Sequence, residues 1–239
     1  MSSAADPPGY IKICGLTRLG QVGALVESGA DAIGINLIPS SPRAVTPDLA
    51  AQLVQAVREH AQRGQRQVEC VGLVAAPDLA REAAHDPAIL GVEVQAIQAA
   101  LGFDRVQLYS PQPARLFAAL GRPAWAFFAA RIGSAADAER CADWPGQPLV
   151  VDARVSGGLG GSGQLLDWQL VRSLSARRAL MLAGGLTPDN VAHAICALRP
   201  WGVDVASGVE AGQPGVKDIG RCAAFVRAAR AAFAGRTRC

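Results

Sequence analysis

One pattern recurs along the sequence: an apolar run with β-branched residues, a loop rich in glycine, serine or proline, and a helical stretch rich in alanine and leucine. It predicts eight strands, at Ile11–Cys14, Ala32–Ile38, Val68–Val74, Asp104–Tyr109, Ala124–Ala130, Leu149–Asp152, Ala179–Ala183 and Val203–Ser207. Strands that alternate with helices through short loops pair in parallel through right-handed crossovers. Eight units in 239 residues predict a closed α/β barrel, the (β/α)8 TIM barrel, which typically needs about 250 residues. An open doubly wound sheet is the alternative, but it suits roughly five to seven units.

The helical stretches complete the predicted barrel. They are expected at Leu19–Ser28, Pro47–Arg63, Pro77–Ala84, Pro111–Leu120, Ala135–Ala142, Leu165–Leu174, Pro188–Leu198 and Val216–Phe233. Four of them begin with proline, which is favoured in a first helical turn because its missing N–H leaves no hydrogen bond unmade there. The stretch Asp86–Gly102 contains apolar residues without a clear period, and we interpret it as an extension of the third strand-to-helix connection. We treat residues 1–239 as a single domain, with a flexible N-terminal tail at residues 1–9.

The composition excludes several classes of function. The net charge of +3 is small and the basic residues are scattered, whereas nucleic-acid-binding proteins concentrate Lys and Arg in a patch. No apolar run approaches the ~18 residues that span a bilayer. The three histidines have no metal-ligand spacing, so we expect no metal site. The six cysteines form no Cys-x-x-Cys pair and no signal peptide precedes them, so we expect reduced thiols in a cytoplasmic protein, with no nucleic-acid or membrane partner.

The active site is expected where the predicted strands end, because barrel enzymes place it at the C-terminal ends of their strands. Those ends carry Cys14, Arg43 in the loop after strand two, and Asp152 after a strongly apolar run. A carboxylate at a barrel mouth is a candidate for proton transfer, although an aspartate can also cap a turn. An unpaired cysteine is more often a small core residue than a reactive one.

Two glycine-containing turns favour a phosphate site. Gly184 and Gly185 follow strand seven, and Ser207 and Gly208 follow strand eight. One such turn alone is better explained by the tolerance of glycine for left-handed backbone. Two of them, in the loops where barrels recurrently bind phosphate, favour backbone N–H groups that bind phosphate oxygens. The five glycines of Val155–Gly163 predict a further loop, able to close over a substrate.

Several ordered segments together resemble one enzyme family. They are IKICGLTR, GADAIGINLIPSSPR, VVDA followed by GGSG and LDW, LAGGLTPDNV, GVDVASGVE and PGVKD. They extend in order and at the right spacing from Ile11 to Asp218, which is nearly the whole chain. The sequence thereby resembles phosphoribosylanthranilate isomerase, an aldose–ketose isomerase (an intramolecular oxidoreductase) of tryptophan biosynthesis.

The resemblance implies a cofactor-free Amadori rearrangement of a phosphorylated sugar amine, with no metal. It assigns Cys14 as the general base and Asp152 as the general acid. Thiolate is the basic form of cysteine, so we expect nearby positive charge to lower the pKa of Cys14. The resemblance further assigns substrate binding to Arg43, which would hold the anthranilate carboxylate, and to Asp204 and Gln107. The same four glycine-turn residues, Gly184, Gly185, Ser207 and Gly208, match the family's phosphate loops.

Departures from the family pattern cluster on strands two to four. The family usually ends strand four with Gln-Leu-His-Gly, whereas Gln107–Ser110 is Gln-Leu-Tyr-Ser. Asn36–Ile38, Leu73–Ala76 and Ala206 also differ from the usual residues. Two alternatives therefore remain beside the isomerase: a diverged barrel isomerase that acts on another phosphorylated N-glycoside, and a non-catalytic phosphate-binding barrel. The expected partner is a small phosphorylated sugar amine, bound by a monomer or a homodimer.

Strand alternation also makes a prediction about the barrel interior. Lys12 lies two residues before Cys14, so both side chains face the same side of strand one. A lysine inside a barrel needs a partner of opposite charge. Asp204 on the adjoining eighth strand has the matching parity, and we expect it to pair with Lys12.

Overall fold

Eight parallel strands close into a barrel in sequence order, with β8 paired to β1. The computed structural model describes residues 9–76, 86–153 and 168–235. The strands are β1 Tyr10–Cys14, β2 Ala32–Asn36, β3 Glu69–Ala75, β4 Arg105–Tyr109, β5 Ala126–Ile132, β6 Leu149–Ala153, β7 Leu180–Leu182 and β8 Gly202–Val205. The predicted (β/α)8 barrel is therefore confirmed.

Helices follow the strands on the outside of the barrel. In the described residues they are α1 Val22–Glu27, α2 Pro47–Arg63, α3 Pro87–Leu101, α4 Pro113–Ala119, α5 Ala135–Cys141, α6 Trp168–Arg177, α7 Val191–Leu198 and α8 Ile219–Ala234. Short 3-10 turns lie at Leu19–Gln21 and Ser207–Val209. The helix predicted at Pro77–Ala84 and the glycine loop at Val155–Gly163 lie outside the described residues.

The stretch Asp86–Gly102, interpreted as an extension of the third strand-to-helix connection, lies between β3 and β4 and forms helix α3. Asp86 caps its start by accepting a hydrogen bond from the Ala88 backbone N–H at 2.9 Å. Gly102 ends it in the left-handed conformation, with φ at 69°. Apolar residues lie nearly all around this helix, so the sequence shows no polar face to mark its period.

Three predicted helix starts also need correction. Helix α4 begins at Pro113 rather than Pro111, helix α7 at Val191 rather than Pro188, and helix α8 at Ile219 rather than Val216. Before α7, the Asn190 side chain accepts a hydrogen bond from the Thr187 N–H at 2.8 Å and donates one to the Gly185 carbonyl at 3.0 Å. These side-chain bonds hold a turn where the proline pattern predicts helix.

Alternation along the strands separates two packed layers. Side chains that point outward are almost all apolar and pack under the helices. The inward side holds a smaller apolar cluster of Ala32, Val71, Phe127, Ala129, Val150, Met181 and Ala183. Lys12, Gln107 and Asp204 lie on the same inward side and are buried. Lys12 and Asp204 are partners in the β1–β8 register, and their Nζ and Oδ1 atoms lie 3.0 Å apart. The predicted ion pair is therefore confirmed.

Aromatic and charged side chains fill the N-terminal end of the barrel. Tyr10 stacks on Trp201 with ring centroids 4.7 Å apart, and its hydroxyl donates to the Glu69 carboxylate. The Arg105 guanidinium lies 4.5 Å from the centre of the Phe127 ring. This packing leaves the opposite, C-terminal end as the place where side chains and loops can meet a ligand.

The described residues bear on two further expectations. No helix among them is long and apolar enough to cross a membrane. Cys14, Cys70, Cys141 and Cys222 are free thiols. Cys196 is disulfide-bonded, so the expectation that all six cysteines are reduced was wrong at this residue. That expectation relied on the absence of a Cys-x-x-Cys pair and of a signal peptide.

Replacement of Arg178 by alanine is expected to destabilise the fold. Its guanidinium donates to the carbonyls of Cys141, Ala142, Trp144 and Gly146 at 2.8–3.2 Å, which holds the α5–β6 connection against the start of β7. A hydrogen bond from a charged group to a buried acceptor contributes about 1.5–3 kcal/mol, and the contributions of the four bonds are not additive. We therefore expect a loss of about 2–4 kcal/mol in the free energy of unfolding.

Arg177→Ala is the matched control for Arg178→Ala. Arg177 is exposed, and its ion pairs with described residues lie at the surface, with Glu139 at 3.4 Å and Asp143 at 3.6 Å. Its loss is expected to change the free energy of unfolding by less than about 1 kcal/mol. Urea unfolding of both variants measures the difference, and equal effects would contradict the role assigned to Arg178.

Candidate active site

The thiol of Cys14 lies at the C-terminal end of β1, inside the barrel and almost wholly buried. It is in register with Gly34 of β2. A Cβ atom added at Gly34 would lie 2.8 Å from the Cys14 sulfur and 3.1 Å from the Lys12 Cε. Glycine at this position therefore leaves room for the thiol beside the neighbouring strand.

Burial dominates the acidity of Cys14. It raises the pKa of the thiol, and the Asp204 carboxylate raises it further, while the positive charges of Lys12 and Lys217 lower it. The net pKa lies above the ordinary value, so the expectation of a lowered pKa was wrong. Positive charge does surround the sulfur, as that expectation required, but the desolvation of the thiolate outweighs it.

Lys12 places a fixed positive charge below the thiol. Burial acts to lower the pKa of Lys12, but the Asp204 carboxylate and the Cys14 sulfur outweigh it and raise the pKa above the ordinary value. The side chain of Lys12 is fully inaccessible to solvent, so the Asp204 carboxylate rather than water compensates its charge. The ion pair lies in the barrel interior beneath the Cys14 thiol.

Arg43 lies in the loop after β2 and binds a carboxylate of the chain itself. Its Nε donates to Glu210 Oε1 and its Nη2 donates to Glu210 Oε2, both at 2.7 Å. Glu210 also accepts from Lys217 Nζ at 3.1 Å and from the Gly215 N–H at 2.8 Å. Burial acts to raise the pKa of Glu210, but Arg43, Lys217 and the Gly215 N–H outweigh it, so its pKa is lowered and the group is ionised.

Glu210 and Lys217 were not among the functional residues predicted from the sequence. Both lie in segments that carried the resemblance, GVDVASGVE and PGVKD, yet neither ends a predicted strand. Lys217 is almost fully buried. The sequence shows an acid shortly after predicted strand eight and a lysine at the start of the last predicted helix, with nothing that connects the two. Their contact with Arg43 follows only from the meeting of the loops after β2 and β8.

Asp152 lies near the end of β6 and is half-buried. It is in register with Arg131 of β5. The hydrogen bond to Glu210 raises the pKa of Arg43 most and burial acts to lower it, while the charges of Glu210, Cys14 and Asp152 raise it further. The structure therefore brings Cys14, Asp152 and Arg43 to the same end of the barrel and within electrostatic reach of one another.

Gln107 and Tyr109 form a pair on the inward side of β4. Gln107 is fully buried, and its Nε2 donates to the Tyr109 hydroxyl at 3.0 Å. Burial raises the pKa of Tyr109, and the charges of Asp152, Cys14 and Asp204 raise it further. The phenol therefore stays protonated, and it lies where the family usually has histidine. Gln107, predicted to bind substrate, holds this tyrosine.

The two glycine turns lie side by side at the mouth. Gly184 and Gly185 both adopt left-handed backbone, with φ at 85° and 66°. Gly208 is in direct contact with the loop after β7, because a Cβ atom there would lie 1.8 Å from the Leu186 carbonyl oxygen. Glycine at 208 is thus required by the close approach of the two loops. Ser207 is exposed in the adjoining 3-10 turn.

Comparison with known proteins identifies the family. A model of the family described as N-(5'phosphoribosyl)anthranilate (PRA) isomerase matches residues 91–228. A protein of Roseiflexus sp. (strain RS-1) named N-(5'-phosphoribosyl)anthranilate isomerase is 41% identical over 227 residues, which cover 93% of this chain and 98% of the relative. The chain belongs to the N-(5'-phosphoribosyl)anthranilate isomerase family. A family member from Magnetococcus marinus is 37% identical over 227 residues, covering 94% and 97% of the two chains.

Solved structures of the family share the fold. The phosphoribosyl anthranilate isomerase of Thermotoga maritima superposes with a TM-score of 0.76 at 30% identity, covering 93% of this chain and 99% of that one. A family structure in complex with reduced 1-(o-carboxyphenylamino)-1-deoxyribulose 5-phosphate superposes with a TM-score of 0.73 at 29% identity and the same coverage. A further Thermotoga maritima structure is of monomers generated from a dimeric isomerase.

The acidity of Cys14 can be measured from the thiolate absorbance at 240 nm. Because burial raises the pKa, the difference in absorbance between the wild type and Cys14→Ser is expected to develop with a midpoint above pH 9. Cys222→Ser is the control, since the pKa of that buried thiol is raised to about 11 and its removal leaves the Cys14 transition in place. A Cys14 midpoint below about pH 8 would contradict the dominance of burial.

Proposed function

We propose that this chain catalyses the Amadori rearrangement of N-(5'-phosphoribosyl)anthranilate to the corresponding 1-deoxyribulose 5-phosphate, with Cys14 as general base and Asp152 as general acid. Membership of the family supports the reaction. The observation that carries the mechanism is the placement of a buried thiol, flanked by Lys12 and Lys217, at the same end of the barrel as the Asp152 carboxyl group. The reaction needs no redox partner, because the aldose carbon is reduced while the neighbouring carbon is oxidised.

The first step is the opening of the furanose ring. Protonated Asp152 donates its proton to the ring oxygen, and the bond between that oxygen and C1 breaks. The lone pair of the aryl amine nitrogen forms a C1–nitrogen double bond, which gives a protonated Schiff base. The carboxyl group of Asp152 is half-buried at the mouth of the barrel, where a substrate can reach it.

The second step is the transfer of a proton from C2. The Cys14 thiolate takes the C2 proton, and the electrons of that bond form a C1–C2 double bond and neutralise the nitrogen. The enolamine then accepts a proton at C1 and loses the proton of its C2 hydroxyl, which gives the ketone. A raised pKa reduces the thiolate fraction but makes each thiolate a stronger base. Lys12 and Lys217 stabilise the thiolate once it forms.

Substrate binding is proposed at three places around these groups. Arg43 would receive the anthranilate carboxylate, since a guanidinium binds a carboxylate in planar, bidentate geometry. Asp204 and Gln107 would line the ribose side of the barrel interior. Backbone N–H groups of Gly184–Gly185 and Ser207–Gly208 would bind the phosphate. Binding energy from the phosphate, which does not react, would orient the flexible sugar.

A diverged isomerase for another N-glycoside is the second candidate. The observation that favours it is Tyr109, a protonated phenol where the family usually has histidine, on the strands expected to face the aromatic amine. The relatives at 37–41% identity that carry one and the same name favour anthranilate. A non-catalytic phosphate-binding barrel is disfavoured because both proton-transfer residues are present.

The fluorescence of phosphoribosylanthranilate distinguishes these functions. Purified protein is expected to abolish the fluorescence as the substrate is converted. Binding of the substrate without conversion would support the non-catalytic barrel. Neither binding nor conversion would support the diverged isomerase, and would contradict the proposed substrate.

Replacement of either proton-transfer residue is expected to stop turnover without unfolding the chain. Cys14→Ser and Asp152→Asn should each lower kcat by roughly 100- to 10,000-fold, the range that general acid–base groups contribute. Cys141→Ser is a matched control, because this buried, free thiol lies on α5, outside the barrel. Circular dichroism and thermal unfolding check the fold of each variant. Near-normal turnover in either active-site variant would show that the role is assigned to the wrong residue.

Phosphate binding is expected at the two glycine turns. In a 15N-labelled sample, titration with inorganic phosphate should shift the backbone amide signals of Gly184, Gly185, Ser207 and Gly208 more than those of other residues, because bound anions deshield the N–H groups that contact them. Chloride at equal ionic strength is the control for general charge effects. Largest shifts at the N-terminal end of the barrel would be incompatible with this site. Substitution of Gly208 is a poorer test, since any side chain there meets Leu186.

A further inference from the structure

Among the described residues, the hydrogen bonds of the Arg43 guanidinium lie along one edge. A guanidinium has five N–H groups in a plane, and Glu210 occupies the Nε N–H and one Nη2 N–H with its two oxygens, each at 2.7 Å. The two N–H groups of Nη1 and the second N–H of Nη2 form another edge that this carboxylate does not occupy. A second carboxylate can therefore bind in bidentate fashion while the first stays in place.

The stem of Arg43 is fixed as well as its head. A Cβ atom at Gly15 would lie 2.4 Å from the Arg43 Cδ and 3.3 Å from its Cγ, so the arginine stem packs directly against the backbone after β1. Arg43 is mostly buried, at 15% side-chain exposure. Glycine on one side and Glu210 on the other thus confine the side chain to one conformation.

Glu210 is itself anchored from three directions. Besides Arg43, it accepts from the Gly215 N–H and from the Lys217 ammonium group. Lys217 also donates to the Ala206 carbonyl at 3.1 Å, and its backbone exchanges two hydrogen bonds with the Gln21 side chain at 2.6 and 3.0 Å. The carboxylate therefore joins the loops that follow β1, β2 and β8, and it cannot move without breaking several buried contacts.

The charges of this cluster still favour an incoming anion. Arg43 and Lys217 supply two positive charges and Glu210 supplies one negative charge, which leaves one positive charge uncompensated within the cluster. An arginine that is already ordered loses less side-chain entropy when it binds a ligand. The cluster thus combines a net attraction for one carboxylate with a guanidinium that is fixed in advance.

We propose that Glu210 is a positioning residue that presents the unoccupied edge of Arg43 to the carboxylate of the aryl amine, and so determines the preference for amines that carry this carboxylate. The inference rests on the proposed function, because it takes Arg43 as the group that meets the substrate. The opposite role, in which Glu210 competes with the substrate for Arg43, predicts the reverse effect of its removal.

The test compares two ligands that differ only in the carboxylate. One is reduced 1-(o-carboxyphenylamino)-1-deoxyribulose 5-phosphate, and the other is the same compound made from aniline. Calorimetry gives the ratio of their dissociation constants for each variant. The wild type is expected to prefer the carboxylate compound by about 100-fold, and Arg43→Met to lose that preference, as for a charge-assisted bidentate contact.

Glu210→Gln is expected to reduce the preference by about tenfold, because one amide cannot hold the arginine edge with two acceptors. Its affinity for the aniline compound should change by less than about threefold, which shows that the rest of the site is intact. In turnover, KM for phosphoribosylanthranilate should rise about tenfold while kcat changes by less than about threefold. In an Arg43→Met background, Glu210→Gln should have no further effect on the preference.

Two further variants test for misfolding of Glu210→Gln and for general effects of losing a glutamate. Glu210→Asp retains a negative charge near Lys217, but its side chain is one methylene shorter and reaches Arg43 less well. It should therefore also reduce the preference for the carboxylate compound, and it serves as the test if Glu210→Gln folds poorly. Glu139→Gln changes an exposed glutamate on α5 and should leave both affinities unchanged.

The outcomes distinguish the positioning role of Glu210 from the proposed function of Arg43. A preference in the wild type that Arg43→Met abolishes but both Glu210 variants retain or strengthen would overturn the positioning role and leave the proposed function standing. A wild type with no preference for the carboxylate compound would overturn the role of Arg43 in the proposed function, and the positioning role with it.

Discussion

The ion pair between Lys12 and Asp204 is the constraint around which the catalytic end of this barrel is arranged. It joins β1 to β8, the first and last strands, at the seam where the sheet closes on itself. Charges so deeply buried are tolerated only as a pair, because each alone would lose its hydration without compensation. Removal of either partner would therefore affect both the closure of the barrel and the charge beside Cys14. One ion pair thus contributes both to the closure of the barrel and to the electrostatics around Cys14.

The acidity of Cys14 follows from that arrangement as a compromise. The sulfur is buried away from water, which disfavours the thiolate, and lies near two ammonium groups that favour it. A site with lysines but no burial would give a more abundant thiolate that is a weaker base. For the proposed base Cys14, burial gives a rarer thiolate that is a stronger base. Tyr109, kept protonated by the same burial and the same negative charges, adds a neutral hydroxyl to a region otherwise dominated by charges.

Much of this molecule could be predicted from its sequence, because strand alternation and strand ends are local properties. The position of Lys12 followed from parity with Cys14, and the placement of the glycine turns followed from the order of the strands. Helix α3 could not be identified from a hydrophobic period, because a helix without a polar face has no alternation of apolar and polar residues. The acidity of Cys14 was misjudged because charge is visible in a sequence and desolvation is not. The partners of Arg43 come from a loop about 170 residues further along, and no local pattern connects them.

The contact between Gly208 and the carbonyl of Leu186 has a consequence for how this enzyme can diversify. Backbone lies directly on backbone there, with no side chain between the two loops that could shrink or grow. An insertion in one loop would displace the other, so their lengths must be inherited together. The lengths of the loops after β7 and β8 are thus coupled by a single missing methyl group.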